Sequence, residues 1–280
     1  MELEAKSLID LIKYPIHKSN SEREKLINSV RKDLDLLGCA VIKSFLTEKA
    51  IKALTLEADG VSDKAYRSYN RTNAYFTKDD PNLSKNDPRR KFFDRSNAFI
   101  AADNFNNNGP LRTIHNFPFF EEFIKECLNL KNIYRYSDPL ADVIINLANK
   151  GNGFPWHFDT NNFTVTIAIQ NAEEGGVFEY APNIRKKNEN FKEVNKVIDG
   201  TSNKVVSINL EPGDLQLFKG RYSLHRVTPI SGETNRYVAI ISYVQEPNMV
   251  GSPERTKQLY GKVLPIHLER AGLRSDQFLD

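Results

Sequence analysis

Cysteine is almost missing from this chain: only Cys39 and Cys127 occur in 280 residues. They lie far apart and follow no metal-ligand spacing, so they read as buried thiols in a reducing compartment. Long apolar runs are missing as well. No uninterrupted stretch could span a bilayer, and the opening Met1-Glu2-Leu3-Glu4-Ala5-Lys6 is charged, with no apolar run to suggest secretion. The expectation is a soluble, cytoplasmic protein with no membrane partner. An excess of either charge is also lacking, since 39 basic and 36 acidic residues leave a net charge of +3. Such a balance generates no field that implies nucleic acid, and Arg89-Arg90-Lys91, without interleaved aromatics, reads as surface. No internal repeat is visible, and nothing bears on oligomeric state. What is present is 40% hydrophobic residues, enough for a real core in one large or two small domains.

Apolar positions Leu3, Leu8, Ile9, Leu11 and Ile12 have helical spacing. Ser21-Glu22-Arg23-Glu24 reads as a capping box opening a helix with the stripe Leu26, Ile27, Val30, Leu34 and Leu37, which Gly38 stops. A strand from Cys39 to Ser44 follows, then a helix capped by Thr47 and running to about Glu57. Residues 59–95 are polar, with Tyr66, Tyr69, Tyr75 and Phe76 among charges, and read either as a functional irregular segment or as a solvated insertion. A strand is expected from Arg95 to Phe105 and a helix from Phe117 to Leu130. From Asp142 onward short strands follow one another. Among them, Phe163, Val165, Ile167 and Ile169 alternate with Thr164, Thr166, Ala168 and Gln170, the period of a half-buried strand. Lys186 to Gly200 reads as a charged excursion, and 245–280 as a helical, charged tail. Six or more short strands with Gly/Pro turns predict an α+β protein with a sandwich or double-sheet jelly roll. We divide a single domain into a helical or mixed part (1–135), the jelly-roll core (136–245) and the tail (246–280).

The chemistry concentrates between Phe154 and Tyr243. His157 and Asp159, two apart in Pro155-Trp156-His157-Phe158-Asp159, leave the same face of an extended strand and can reach one metal ion. His225 supplies a third ligand. Two imidazoles and a carboxylate on one side of a metal, with the other positions open, make the facial triad of non-haem Fe(II) oxygenases. Arg236 follows eleven residues after His225, across Ser231-Gly232, which reads as a hairpin turn. That hairpin would set His225 opposite Val238, with Arg236 on the same face about 7 Å away. A guanidinium there could grip the far carboxylate of a short diacid chelated to the metal. Ser242 shares the Arg236 face by parity, and could touch cosubstrate or be satisfied by backbone.

With H-x-D, a distant His and an Arg about ten residues later, the chain resembles the Fe(II)/2-oxoglutarate-dependent oxygenases. The resemblance spans most of residues 35–245. It is closest in His157 to Thr166 and in Glu174-Gly175-Gly176-Val177-Phe178-Glu179-Tyr180-Ala181-Pro182-Asn183-Ile184-Arg185, which look like the branch of halogenases of free lysine and related amino acids, together with their hydroxylase relatives. The resemblance implies a double-stranded β-helix (jelly-roll, cupin-like) core braced by N-terminal helices. It also implies Fe(II) held by His157, Asp159 and His225, with 2-oxoglutarate on Arg236 and O2 as the oxidant. By this analogy the reaction is hydroxylation of an unactivated C–H in a free basic amino acid, L-lysine first. Halogenating members of the branch carry a small residue where Asp159 stands here, so hydroxylation and not halogenation is expected. An amino acid needs a guanidinium for its carboxylate and a carboxylate for its ammonium. Arg95 and Asp142 are the candidates, against a surface ion pair or helix-end charge for each, and Tyr260 could close the pocket or pack in the core. The competing functions are hydroxylation of a protein side chain, as in prolyl hydroxylases, and a metal-binding jelly roll without turnover.

Overall fold

The structure, a computed structural model, describes residues 4–186 and 188–270. Leu3 of the N-terminal stripe and residues 271–280 of the expected tail lie outside the described residues. Helix α1 (Ala5–Leu8) is a single turn. Helix α2 (Ser21–Leu37) starts where expected, but Asn20 is its cap: with an extended backbone, it accepts a hydrogen bond from Arg23 N–H at 3.0 Å through its side chain. Ser21 already belongs to the helix, which corrects the capping-box reading. At the other end Gly38, at φ +67°, closes α2 in the left-handed region. Thr47 caps α3 (Glu48–Gly60), accepting from Ala50 N–H. The single helix expected from Phe117 to Leu130 is the second of a pair, α4 (Pro110–His115) and α5 (Pro118–Cys127), each opened by a proline whose missing N–H costs nothing at a first turn. The expected excursion 186–200 contains α6 (Phe191–Ile198), which buries Val194 and Val197. Helices α7 (Pro253–Tyr260) and α8 (Pro265–Glu269) follow the sheets.

The strands are β1 (Cys39–Ile42), β2 (Tyr66–Thr72), β3 (Phe93–Ile100), β4 (Tyr134–Arg135), β5 (Val143–Ala148), β6 (Phe154–His157), β7 (Thr164–Gln170), β8 (Glu174–Gly175), β9 (Phe178–Ala181), β10 (Val206–Ile208), β11 (Leu215–Phe218), β12 (Leu224–Val227), β13 (Ile230–Ser231), β14 (Arg236–Ile241) and β15 (Tyr243–Val244). Seven form a major sheet in the order β1-β11-β7-β14-β5-β3-β2, and four a minor sheet, β10-β9-β12-β6. This is the double-stranded β-helix expected for the core. The segment 59–95, expected to be irregular, supplies the edge strand β2, paired with β3 from Tyr66↔Phe99 to Thr72↔Phe93. Its polar character reflects that edge position, where Tyr66 and Tyr69 remain exposed.

The major sheet sorts its residues by parity. Val165, Ile167 and Ile169 of β7, Ala239 and Ile241 of β14, and Leu215 and Leu217 of β11 pack with Ile27, Val30 and Leu34 of α2 and Phe120 and Phe123 of α5 in one core. Each such aliphatic side chain contributes about 1.5–3 kcal/mol on burial, so the helices brace this face. The alternate residues, Thr164 and Thr166, Gln216, Arg236 and Val238 among them, turn instead toward the minor sheet and line a cavity. A strand that reads as half-polar thus has its polar side inside the sandwich.

One expectation fails in an instructive way. No hairpin joins the His225 and Arg236 strands: β12 lies in the minor sheet between β9 and β6, and β14 in the major sheet between β7 and β5. Gly232 does turn, at φ +87°, but Ile230 and Ser231 pair with Gly175 and Glu174. The chain crosses between sheets because each strand then has two neighbours for its backbone groups, where a hairpin alone would supply one. His225 and Arg236 therefore face each other across the sandwich and not along one sheet.

The corrected cap is checked by urea unfolding. Asn20→Ala should lower stability by about 1 kcal/mol, and Ser21→Ala by markedly less; the reverse ranking would restore the capping box.

Candidate active site

β6 ends at His157, and the next two residues are held by backbone bonds from Phe158 N–H to Ala74 O (3.0 Å) and from Asp159 N–H to Gly220 O (3.1 Å). On the neighbouring strand His225 is the direct register partner of His157, and the two rings stand 4.1 Å apart between centroids. Each imidazole faces a carbonyl two residues earlier in its own strand, Nδ1 of His157 to Pro155 O (2.8 Å) and Nδ1 of His225 to Ser223 O (2.9 Å). Each carbonyl accepts a hydrogen bond from Nδ1–H, which orients the ring so that Nε2 faces the cluster. Asp159 Oδ1 lies 3.7 Å from His157 Nε2 and 3.3 Å from His225 Nε2, and the ligand atoms of all three residues fall within 4.8 Å of one another. Two imidazole nitrogens and one carboxylate fit a divalent transition metal.

Asp159 is fixed from two further sides. Thr164 Oγ1 donates to its Oδ2 at 2.6 Å, and a Cβ built on Gly220 would come within 1.9 Å of that same oxygen. Only glycine leaves room for the carboxylate. Burial by itself would raise the Asp159 pKa, but His225, then His157 and the Thr164 bond, outweigh it and hold the carboxyl well below the usual range. Burial, reinforced by the neighbouring His225, pushes His157 well below its ordinary value. Both groups are thus in the protonation state that a metal needs.

The cluster opens into a cavity of about 990 Å³ between the sheets. Arg236 enters it from the start of β14 at 5% exposure, and burial alone lowers its pKa to about 10. No carboxylate partners it among the described residues. Gly176, at φ +68°, lies so close that a Cβ there would meet Arg236 Cδ at 2.8 Å. A buried guanidinium without a counter-charge suits a ligand that brings one, and the far carboxylate of 2-oxoglutarate has the required chemistry.

The Halogenase D family matches residues 22–260. The chain belongs to that family. No curated protein matches the sequence. Among solved structures, a prolyl hydroxylase from Trichoplax adhaerens, in complex with a hypoxia inducible factor peptide, is similar at TM-score 0.54 and 17% identity, covering 82% of this chain and 94% of that one. The epimerase SnoN, in complex with Fe3+, alpha ketoglutarate and nogalamycin RO, is similar at TM-score 0.54 and 10% identity over 79% of this chain and 84% of that one. An oxidoreductase of the 2OG-Fe(II) oxygenase family from Burkholderia pseudomallei gives TM-score 0.50 and 12% identity over 79% and 91%. At these identities the likeness establishes the fold. Taken with the family and the His-Asp-His cluster, it makes this Halogenase D family member a 2-oxoglutarate-dependent dioxygenase, with Fe(II) and 2-oxoglutarate as cofactors.

Within this family framework the sequence-expected residues separate. Arg95, Tyr260 and Ser242 line the cavity with the triad and Arg236. Asp142 does not: its carboxylate pairs with Arg112 and accepts from Val143 N–H, so it fixes the start of β5 and is unavailable to a substrate ammonium. From the G-G-x-F-E-Y-x-P-x-I-R run, Phe178 lines the cavity and Gly176 abuts Arg236. Phe178 lies 5.7 Å from the His225 ring and packs edge-on against Phe218 at 5.0 Å. Arg185 is fully buried, ion-paired with Glu189 at 2.8 Å, and stacks over Phe158 at 4.7 Å. Gly220 and Arg255 were not singled out in sequence, where Thr164 appeared only on the polar side of the alternating β7 and Phe76 only among the aromatics of residues 59–95.

Gly220→Ala should reduce Fe(II) affinity by about tenfold or more, with an unchanged circular dichroism spectrum. Equal metal binding by the variant would remove Gly220 from the positioning of Asp159.

Proposed function

We propose that this protein is an Fe(II)- and 2-oxoglutarate-dependent hydroxylase of an unactivated C–H bond in a free amino acid. In this reading His157, Asp159 and His225 hold the metal, Arg236 and Ser242 receive 2-oxoglutarate, and Arg95 and Tyr260 stand on the substrate side. L-lysine, to which the Asp159–Arg185 stretch points by resemblance, heads the amino acids to be screened. The buried free thiols Cys39 and Cys127 support a cytoplasmic location.

The observation that carries the choice of hydroxylation over halogenation is the seat of Asp159. Its carboxylate lies beside both Nε2 atoms, bonded to Thr164 and fitted against Gly220. A halide would need the place that this anion holds. The tethered group has the advantage, because the fold has already removed most of its entropy of association.

Fe(II), with O2 and 2-oxoglutarate, supplies the oxidising power to break the C–H bond, and this chain positions the participants. The two imidazoles would offer their Nε2 atoms and Asp159 its carboxylate to the metal, beside the open cavity. Arg236 sits on the facing sheet, so its fork can hold the cosubstrate across the cavity. The apolar wall of Phe99, Phe154 and Ile144 keeps water from the target carbon.

Asp159→Gly should abolish hydroxylated product, and the unmodified protein in chloride buffer should give product heavier by one oxygen. A chlorine isotope pattern from the unmodified protein would overturn hydroxylation. Arg236→Lys keeps the charge but loses the bidentate fork, so KM for 2-oxoglutarate should rise about tenfold or more while KM for the amino acid changes little. A larger effect on the amino acid would move Arg236 to the substrate side. Peptides accepted in preference to free amino acids would refute the small-molecule reading.

A further inference from the structure

Three arginines reach the cavity, Arg95, Arg236 and Arg255, and the reading above gives only Arg236 to the cosubstrate. The other two converge on one ring. Arg95 Cζ lies 4.9 Å and Arg255 Cζ 4.1 Å from the centroid of Phe76, whose ring is itself 5.7 Å from that of His157. Phe76 is held at φ +59°, a left-handed conformation that is costly for a residue with a Cβ. The fully buried Asn73 fixes it there, accepting from Tyr75 and Thr77 N–H and donating to Thr77 and Arg89 carbonyls.

Neither guanidinium has an anionic partner among the described residues. Arg95, at 6% exposure, donates through Nε and Nη2 to the Asn97 amide oxygen and leaves Nη1 without any partner. Arg255 donates from Nη1 to Gln258 Oε1 at 2.7 Å. Burial, and after it the proximity of Arg255, lowers the Arg95 pKa well below the ordinary value, and burial lowers that of Arg255 to about 10. The carboxylates on the same wall are already engaged or remote. Asp138 accepts from Leu140 N–H (2.8 Å) and Gly251 N–H (2.9 Å) and faces His267 Nε2 at 3.1 Å. Asp159 belongs to the metal cluster, and Glu254 is exposed at the rim. Two close cations without counter-charge favour a ligand whose net charge is negative, whereas a second ammonium, as on lysine, would add to the positive charge already there.

We infer that the Arg95, Phe76 and Arg255 cluster is the receptor for an anionic substrate, a small dicarboxylate of the acidic amino-acid class, in place of the basic amino acid to which the sequence resemblance points. The reaction rests on the hydroxylase reading; the substrate charge rests on this cluster. Planar guanidiniums set against an aromatic face direct their remaining donors, Nη1 of Arg95 among them, past the ring edge toward a carboxylate, a geometry that an ammonium cannot reproduce.

The test is calorimetric titration of the anaerobic protein, loaded with Fe(II) and 2-oxoglutarate, with L-glutamate, L-aspartate and L-lysine. An acidic amino acid should bind at least about tenfold more tightly than lysine. Arg255→Gln should weaken that binding by about tenfold or more, and Arg255→Lys by less, while KM for 2-oxoglutarate and the melting temperature stay unchanged. Tighter binding of lysine, unaltered acid binding by Arg255→Gln, or an effect confined to 2-oxoglutarate would each overturn the inference. Succinate formation in aerobic solution separates the two proposals. Binding of glutamate without turnover would leave the receptor standing and sink the hydroxylase, whereas lysine-driven succinate release would do the opposite.

Discussion

The pairing of His157 with His225 across adjacent antiparallel strands is the contact on which the site depends. A register partner brings two side chains close on one face, and carbonyls two residues back fix the same ring nitrogen in both. Asp159 joins them only because β6 has ended: the chain past His157 is bound to Ala74 on one side and Gly220 on the other. The rest of the minor sheet serves as support for this edge. Phe178 and Phe218 back the His225 ring, and Arg185 stacks beneath Phe158.

Polar residues on the inner faces turn what would be a sealed sandwich core into a cavity. The major sheet invests its aliphatic positions in the helix-covered side, where Leu34, Ile167, Leu217 and Phe120 are fully buried. Its other side carries threonines, glutamine and arginine toward the minor sheet. The stability of the domain and the chemistry of its interior are thus assigned to opposite parities of the same strands, and substitutions on one side need not disturb the other.

Charge distribution then decides what the cavity can hold. Arg236 and Arg95 are buried cations and Arg255 a half-buried one beside them, and burial of an unpaired charge is expensive enough that a ligand of opposite sign is favoured. The metal cluster at one end and the guanidiniums around it describe a compartment for carboxylates. Asp142, by contrast, has spent its charge on Arg112, so a residue adjacent to the site in sequence can be absent from it in space.

The local signals in the sequence carried much of this. The period-2 alternation of β7, the helix stop at Gly38, the Thr47 cap and the spacing of His157, Asp159 and His225 were legible because each depends on neighbours a few residues away or on a motif with its own chemistry. Cap choice between Asn20 and Ser21, the strand Tyr66–Thr72 and helix α6 were misread, since edge and surface elements carry little apolar periodicity. Tertiary structure alone decided that the His225 and Arg236 strands belong to different sheets, because strand partners are chosen by backbone pairing over long sequence separations. It alone brought Arg255, far along the chain in α7, to Phe76 and Arg95, and set Gly220 against Asp159: contacts between residues whose sequence neighbourhoods say nothing of one another exist only once the sheets have closed.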